Sequence, residues 1–183
     1  ECLFVLIAIC NINIPGEDKV DFILASYLIN ALIRAMNKGE QPVKMLVERG
    51  AGPDSSNEQG LTCSMLAVNN DRPMLVKFLL EHNVALEANY DPSVSTCAGY
   101  TGYTALSFAA SGNNTEIIHM LLEADANAGC QTKGGYCPIH LARSTEAFRT
   151  LQEYQKKIDI NQQTSAGQTA LAYALSSLAQ LRI

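Results

Sequence analysis

The residues best equipped for covalent chemistry in this chain are its thiols and imidazoles. Cys137 and His140 stand three apart, and Cys97 or Cys130 could be brought beside them by folding. A Cys–His nucleophile needs contact geometry, an exposed thiolate and a third group that orients the base. The sequence offers no independent third member, so no catalytic centre is expected. Cys130, Cys137 and His140 also suggest zinc, but they form one short-spaced pair where a tetrahedral site is usually built from two. No metal and no cofactor are expected. His82 and His119 fall on or near the polar sides of helical stretches, where a solvated imidazole is the plain reading. There is no Walker-type loop and no Gly-x-Gly-x-x-Gly turn, and Gly134-Gly135 reads as a turn. Asn113-Asn114-Thr115 has the form of a glycosylation sequon but lies at the start of a helix, and no use of it is expected.

Composition narrows the function classes. The 183 residues are 48% hydrophobic and 17% charged, with a formal net charge of -5 and scattered Lys and Arg. That balance suits a folded chain and gives no basic patch for nucleic acid. The six cysteines, Cys2, Cys10, Cys63, Cys97, Cys130 and Cys137, are even in number. A long helical chain is nevertheless a poor candidate for a disulfide-stapled scaffold, so reduced, buried thiols in a cytoplasmic setting are expected. The run from Cys2 to Cys10 is far shorter than the roughly 20 apolar residues that span a bilayer. Glu1 before it and Asn11-Ile12-Asn13 after it do not match a secretory signal, so no membrane role is expected.

What positions all these residues is a repeat. Gly60-Leu61-Thr62-Cys63-Ser64-Met65-Leu66-Ala67 and Gly102-Tyr103-Thr104-Ala105-Leu106-Ser107-Phe108-Ala109 share a Gly-x-Thr-x-x-x-x-Ala frame. Gly135-Tyr136-Cys137-Pro138-Ile139-His140-Leu141-Ala142 and Gly167-Gln168-Thr169-Ala170-Leu171-Ala172-Tyr173-Ala174 continue it. Gly102 to Gly135 is 33 residues and Gly135 to Gly167 is 32, whereas Gly60 to Gly102 is 42, one period plus a nine-residue insertion. Each frame precedes a second apolar-periodic stretch, such as Met74–Glu81 or Glu116–Glu123, with its stripe on one helix face. Gly, Asn or Asp then closes the stretch. The unit is a turn, a short helix, a tight turn, a longer helix and a loop.

This pattern resembles the ankyrin repeat, whose opening motif Gly-x-Thr-Pro-Leu-His-x-Ala is approached most closely by Cys137-Pro138-Ile139-His140-Leu141-Ala142, with Cys in place of Thr. The resemblance implies an all-α repeat solenoid, an ankyrin-type stack of helix-turn-helix units joined by hairpin loops. It places Cys137 and His140 in the Thr and His slots, which in the family hold the turn and the helix start by hydrogen bonding. Ile158-Asp159-Ile160-Asn161 resembles the inter-repeat hairpin, and the resemblance makes Asn161 a candidate for asparaginyl hydroxylation, against the plainer role of a turn residue.

The repeats are expected near 27–59, 60–101 with the insertion, 102–134, 135–166 and an incomplete 167–183, forming one domain over 27–183. The first unit lacks the Gly and Thr, although Val43–Glu48 with Pro42 reads as its second helix. Residues 1–26 form an apolar segment that reads as the remnant of a preceding repeat, and after Ala174 the chain stops where a second helix would be starting. Neither end has the polar cap that a repeat array requires, so the chain reads as a piece of a larger protein or as an array whose ends are covered by other elements.

The family resemblance implies binding of a protein partner on a concave surface of hairpin tips and inner helix faces, because stacking consumes the other faces. Mapped onto this chain, the expected contact residues are Glu58, Gln59, Leu61, Tyr100, Tyr103, Lys133 and Tyr136 at the tips. Asn69, Asn70 and Ser111 stand on the inner helices, and Ser144 and Thr145 take the corresponding slots of the next repeat. Tyr103 and Tyr136 share one slot in successive repeats, with Tyr100 and the 89–100 loop beside them. Tyrosine offers a large rigid face with a polar tip. The leading expectation is a non-catalytic interaction module or recruiting arm, in the cytoplasm or, for a secreted effector, in host cytosol. The alternatives are a cysteine-dependent enzyme and an assembly element stacking through its ends.

Overall fold

The computed structural model describes residues 40–48, 52–54, 56, 60–90, 100–154 and 159–180. Among them run eight helices: α1 (Glu40–Glu48), α2 (Cys63–Asn69), α3 (Pro73–Glu81), α4 (Ala105–Gly112), α5 (Thr115–Glu123), α6 (Pro138–Leu141), α7 (Thr145–Glu153) and α8 (Ala170–Gln180). The apolar segment 1–26, the first helix of the degenerate unit, Glu58, Gln59 and residues 91–99 lie outside the described residues.

The short helices α2 and α4 start because a side chain satisfies an otherwise orphaned amide. Thr62 Oγ1 accepts from Met65 N, and Thr104 Oγ1 accepts from Ser107 N, each at 3.3 Å. The four frame glycines, Gly60, Gly102, Gly135 and Gly167, have φ of 81°, 83°, 76° and 76°, a left-handed turn that sets the chain into each helix.

The helices form two layers. First helices pack in a row, α2 on α4, α4 on α6 and α6 on α8, and second helices form a parallel row, α1 on α3, α3 on α5 and α5 on α7. The apolar stripes between the layers make one continuous core that includes Met65, Leu75, Leu79, Leu106, Ile117, Ile118, Leu121, Leu122 and Leu151. Each such side chain contributes about 2 kcal/mol when fully buried. Among the described residues the tips form turns, and the one isolated bridge pairs Ser56 with Thr62.

Polar bonds tie each repeat to the next. At the tips Lys133 N donates to Thr101 O and Ser165 N to Gly134 O, both at 3.1 Å. Between the helices of each pair, Asn114 Nδ2 donates to Asp71 Oδ1 and Arg143 N to Asn113 Oδ1. Beyond the second helices, Ala85 N donates to Asp54 Oδ1 and Asn127 N to Glu87 Oε1.

Two local readings change. The fourth unit has the expected period but a different interior. Its α6 is only four residues long and ends at Ala142, whose ψ is 121°. The second helix α7 therefore starts early, and Ser144 is its N-cap, accepting from Ala147 N at 3.1 Å. Ser144 and Thr145 begin an outer helix and are not inner-helix positions. At the C-terminal side, α8 continues through Gln180 where the sequence reading expects a first helix to give way to a second.

Candidate functional site

The insertion is pinched at its base by the same turn that closes the regular repeats. Thr132 N donates to Tyr136 O at 3.0 Å and Gly135 N to Thr132 O at 2.8 Å; Thr164, Gln168 and Gly167 repeat this pair of bonds. In the inserted repeat Tyr90 N donates to Tyr103 O and Gly102 N to Tyr90 O, both at 2.8 Å. Tyr90 thus stands where Thr132 and Thr164 stand, so the nine extra residues lie between Tyr90 and Gly102.

Around this neck gathers an aromatic cluster. Tyr100 stacks on Phe108 with centroids 5.8 Å apart and meets Tyr103 edge-on at 5.1 Å. Tyr103 lies 5.2 Å from Phe108, and Tyr90 meets Phe108 edge-on at 6.1 Å. Such offset and edge contacts suit the ring quadrupoles. Tyr100 is 46% exposed, whereas Tyr103 is 8% exposed and belongs to the core. Burial raises the Tyr103 phenol above its ordinary range, with Tyr100 adding to the shift and the Arg143 guanidinium opposing it.

One repeat further on, half-buried Tyr136 meets Tyr173 at 5.2 Å and His140 at 6.4 Å, and its ring covers Gly134. Phe108 and Tyr173 are not among the contact residues expected from the sequence. The signal was present: both stand six residues after a frame glycine, the slot that Leu66 and Leu141 fill elsewhere. The remaining expected positions are spread along the same side. Lys133, Asn69 and Asn70 are exposed, Ser111 is half-buried in α4, and Leu61 packs against the core. Asn161 is exposed in a turn whose backbone amide donates to Asp159 Oδ1 at 2.9 Å.

The Cys137–His140 pair is built into the helix start. His140 Nδ1 accepts from Cys137 N at 3.2 Å, and Nε2 reaches the carbonyl of Gln162 in the next hairpin at 3.0 Å. Cys137 itself is fully buried, and desolvation pushes its thiol up to about 11. A thiolate is scarce there at neutral pH, the reverse of what a nucleophile needs. Burial pushes Cys63 to about 12 and raises Cys130 as well, the nearby Glu87 adding to the latter. Among the described residues no group of three or more His, Cys, Asp or Glu is placed to hold a metal ion. His82 caps the end of α3 with its ring on Phe78, and His119 lies on α5 beside Glu123 and Tyr154.

Comparison with known proteins agrees with this architecture. The family model described as ankyrin repeats, in three copies, matches residues 31–132, 84–164 and 108–182. The chain belongs to the ankyrin repeat family. It is 32% identical over 102 residues, 56% of its length, to the human transient receptor potential cation channel subfamily A member 1. Over 130 residues, 69% of its length, it is 25% identical to the bovine mitochondrial disaggregase. It spans 8% of the first protein and 18% of the second. Ankyrin repeats are a protein-interaction module, and among the described residues no helix is long and apolar enough to cross a membrane.

Proposed function

We propose that this ankyrin chain is a non-catalytic binding module that captures a partner protein on its concave face, acting as the recruiting part of a larger protein. The observation that carries this reading is the aromatic row formed by Tyr100, Phe108, Tyr136 and Tyr173, with Tyr100 nearly half exposed beside the insertion. A ring held by two other rings has little freedom left to lose, so it binds at small entropic cost. Exposed Lys133, Asn69 and Asn70 and half-buried Ser111 flank the row and supply polar contacts. A cation channel and a disaggregase have no activity in common by name, so the shared segment supports the repeat's binding role over either activity. Free, buried thiols at Cys63 and Cys137 favour a reducing, cytoplasmic setting.

The test is co-precipitation of partners by the wild-type chain and by a Tyr100→Ala/Tyr136→Ala double variant, with melting curves run in parallel. Partner loss with a melting temperature within a few degrees of wild type supports the reading. Undiminished capture by the double variant would overturn it. Tyr103 is left intact because its removal would open the core and confuse the two effects.

A further inference from the structure

Among the described residues the carboxylates are kept off the first helices, while Lys44, Lys77 and Arg149 share the second helices with them. Every described acidic side chain stands on a second helix, on a turn between helices or on a loop after a second helix. Glu116, Glu123 and Glu146 line a shallow groove of about 520 Å³ between α5 and α7. Asp54, Glu87 and Asp159 accept backbone amides in the loops. The first helices α2, α4, α6 and α8 and the tips 100–103, 132–136 and 164–168 contain no Asp or Glu. Beside their aromatic row stand two exposed cations, Lys133 at a tip and Arg143 just after α6, the latter near enough to the Tyr103 hydroxyl to act on it. The protein carries net charge -5, yet the described first helices and these three tips hold no carboxylate and have Lys133 and Arg143 beside them.

We infer that the concave face selects an extended protein segment carrying carboxylates on either side of an aromatic or large apolar residue. This rests on the binding role proposed above and adds the chemistry of the ligand. The apolar residue packs on Tyr100 and Phe108, and the carboxylates pair with Lys133 and Arg143, the guanidinium offering a two-pronged donor. The acidic outer layer repels the same segment and so directs it to one face. A nucleic acid would also meet rings and cations, but two cations are few for a phosphate backbone, and the net charge opposes a polyanion.

Panning a random dodecapeptide display library on the intact chain tests this, followed by fluorescence anisotropy of the selected peptides and of a labelled oligothymidylate. Acidic peptides with a central aromatic residue are expected. Their affinity should fall about tenfold or more in a Lys133→Glu/Arg143→Glu variant and return when the peptide carboxylates are exchanged for lysines. Neutral or basic peptides that are lost with Tyr100→Ala/Tyr136→Ala would overturn the charge inference and leave the concave-face reading standing. No enriched peptide, or peptides indifferent to both variants, would overturn both. Oligothymidylate binding more tightly than any peptide would overturn the choice of a protein segment.

Discussion

At the scale of single residues, one slot can hold two different costs. Gly102 and Gly167 share a left-handed φ, so an alanine at either pays about 1 kcal/mol for the backbone alone. A Cβ on Gly102 would also meet Lys133 N at 2.9 Å, while one on Gly167 would meet nothing within 4 Å. Gly102→Ala is therefore expected to lower the urea midpoint at least twice as far as Gly167→Ala, and equal losses would show that the tips do not press on one another. The thiols give a second prediction. Cys63 and Cys137 keep their protons in the folded chain well above the ordinary 9.0, while the unfolded chain releases them there. The stability that depends on them is complete below pH 9 and drains away as pH rises toward 11. A Cys63→Ala/Cys137→Thr variant should lose less melting temperature than wild type between pH 9 and 11. Alanine is native to the first slot at Ala105 and Ala170, and threonine to the second at Thr62, Thr104 and Thr169. A parallel decline in both proteins would place the alkaline transition elsewhere.

At the scale of elements, the neck of the insertion is the turn of an ordinary repeat. Deleting residues 91–99 leaves Tyr90-Tyr100-Thr101-Gly102-Tyr103, the spacing of Thr132-Lys133-Gly134-Gly135-Tyr136. The two neck bonds between Tyr90 and residues 102 and 103 can then persist within an ordinary turn. With the neck bonds kept and loop-closure entropy varying only slowly with length, the deletion is expected to change the melting temperature by no more than a few degrees. A drop of ten degrees or more would mean that the loop is structural. Elements were legible in the sequence wherever local chemistry decides them. A glycine that needs φ above zero, a threonine that caps and an apolar stripe announce themselves without neighbours. What remained hidden depends on other repeats. Tyr103 and Tyr136 share a slot, yet Tyr103 is buried because Tyr100 and Phe108 close over it, and nothing in the slot says so. Ser144 stands as far from its frame glycine as Ser111 does from Gly102, and so shares its slot by sequence alone. The near-constant period conceals an α6 four residues long against eight in α4, compensated after α7.

At the scale of the whole molecule, stacking decides which apolar residues are core. Leu106, Ile139 and Leu171 all stand four residues after a frame glycine. Leu106 is 1% and Ile139 2% exposed, each covered by the repeat that follows, while Leu171 is 69% exposed and Leu175, one helical turn on, is 59% exposed. Repeat proteins gain stability from each nearest-neighbour interface, and this side of α8 carries the apolar residues that a stacking face uses. Burying what remains exposed of the two leucines would contribute roughly 2–4 kcal/mol. Fusing one consensus ankyrin repeat after residue 183 should therefore raise the melting temperature of the chain itself, read from a reporter such as the Tyr100 cluster. A Leu171→Gln/Leu175→Gln variant should lose most of that gain while melting on its own as the parent does, because neither side chain is buried there. If the fused repeat melts independently and leaves the parent transition where it was, the face is surface rather than interface. The same leucines predict concentration-dependent association of the isolated chain, since large exposed apolar side chains at a helix face are an invitation to pairing. Sedimentation over a range of concentrations should show it for the parent and not for the double glutamine variant.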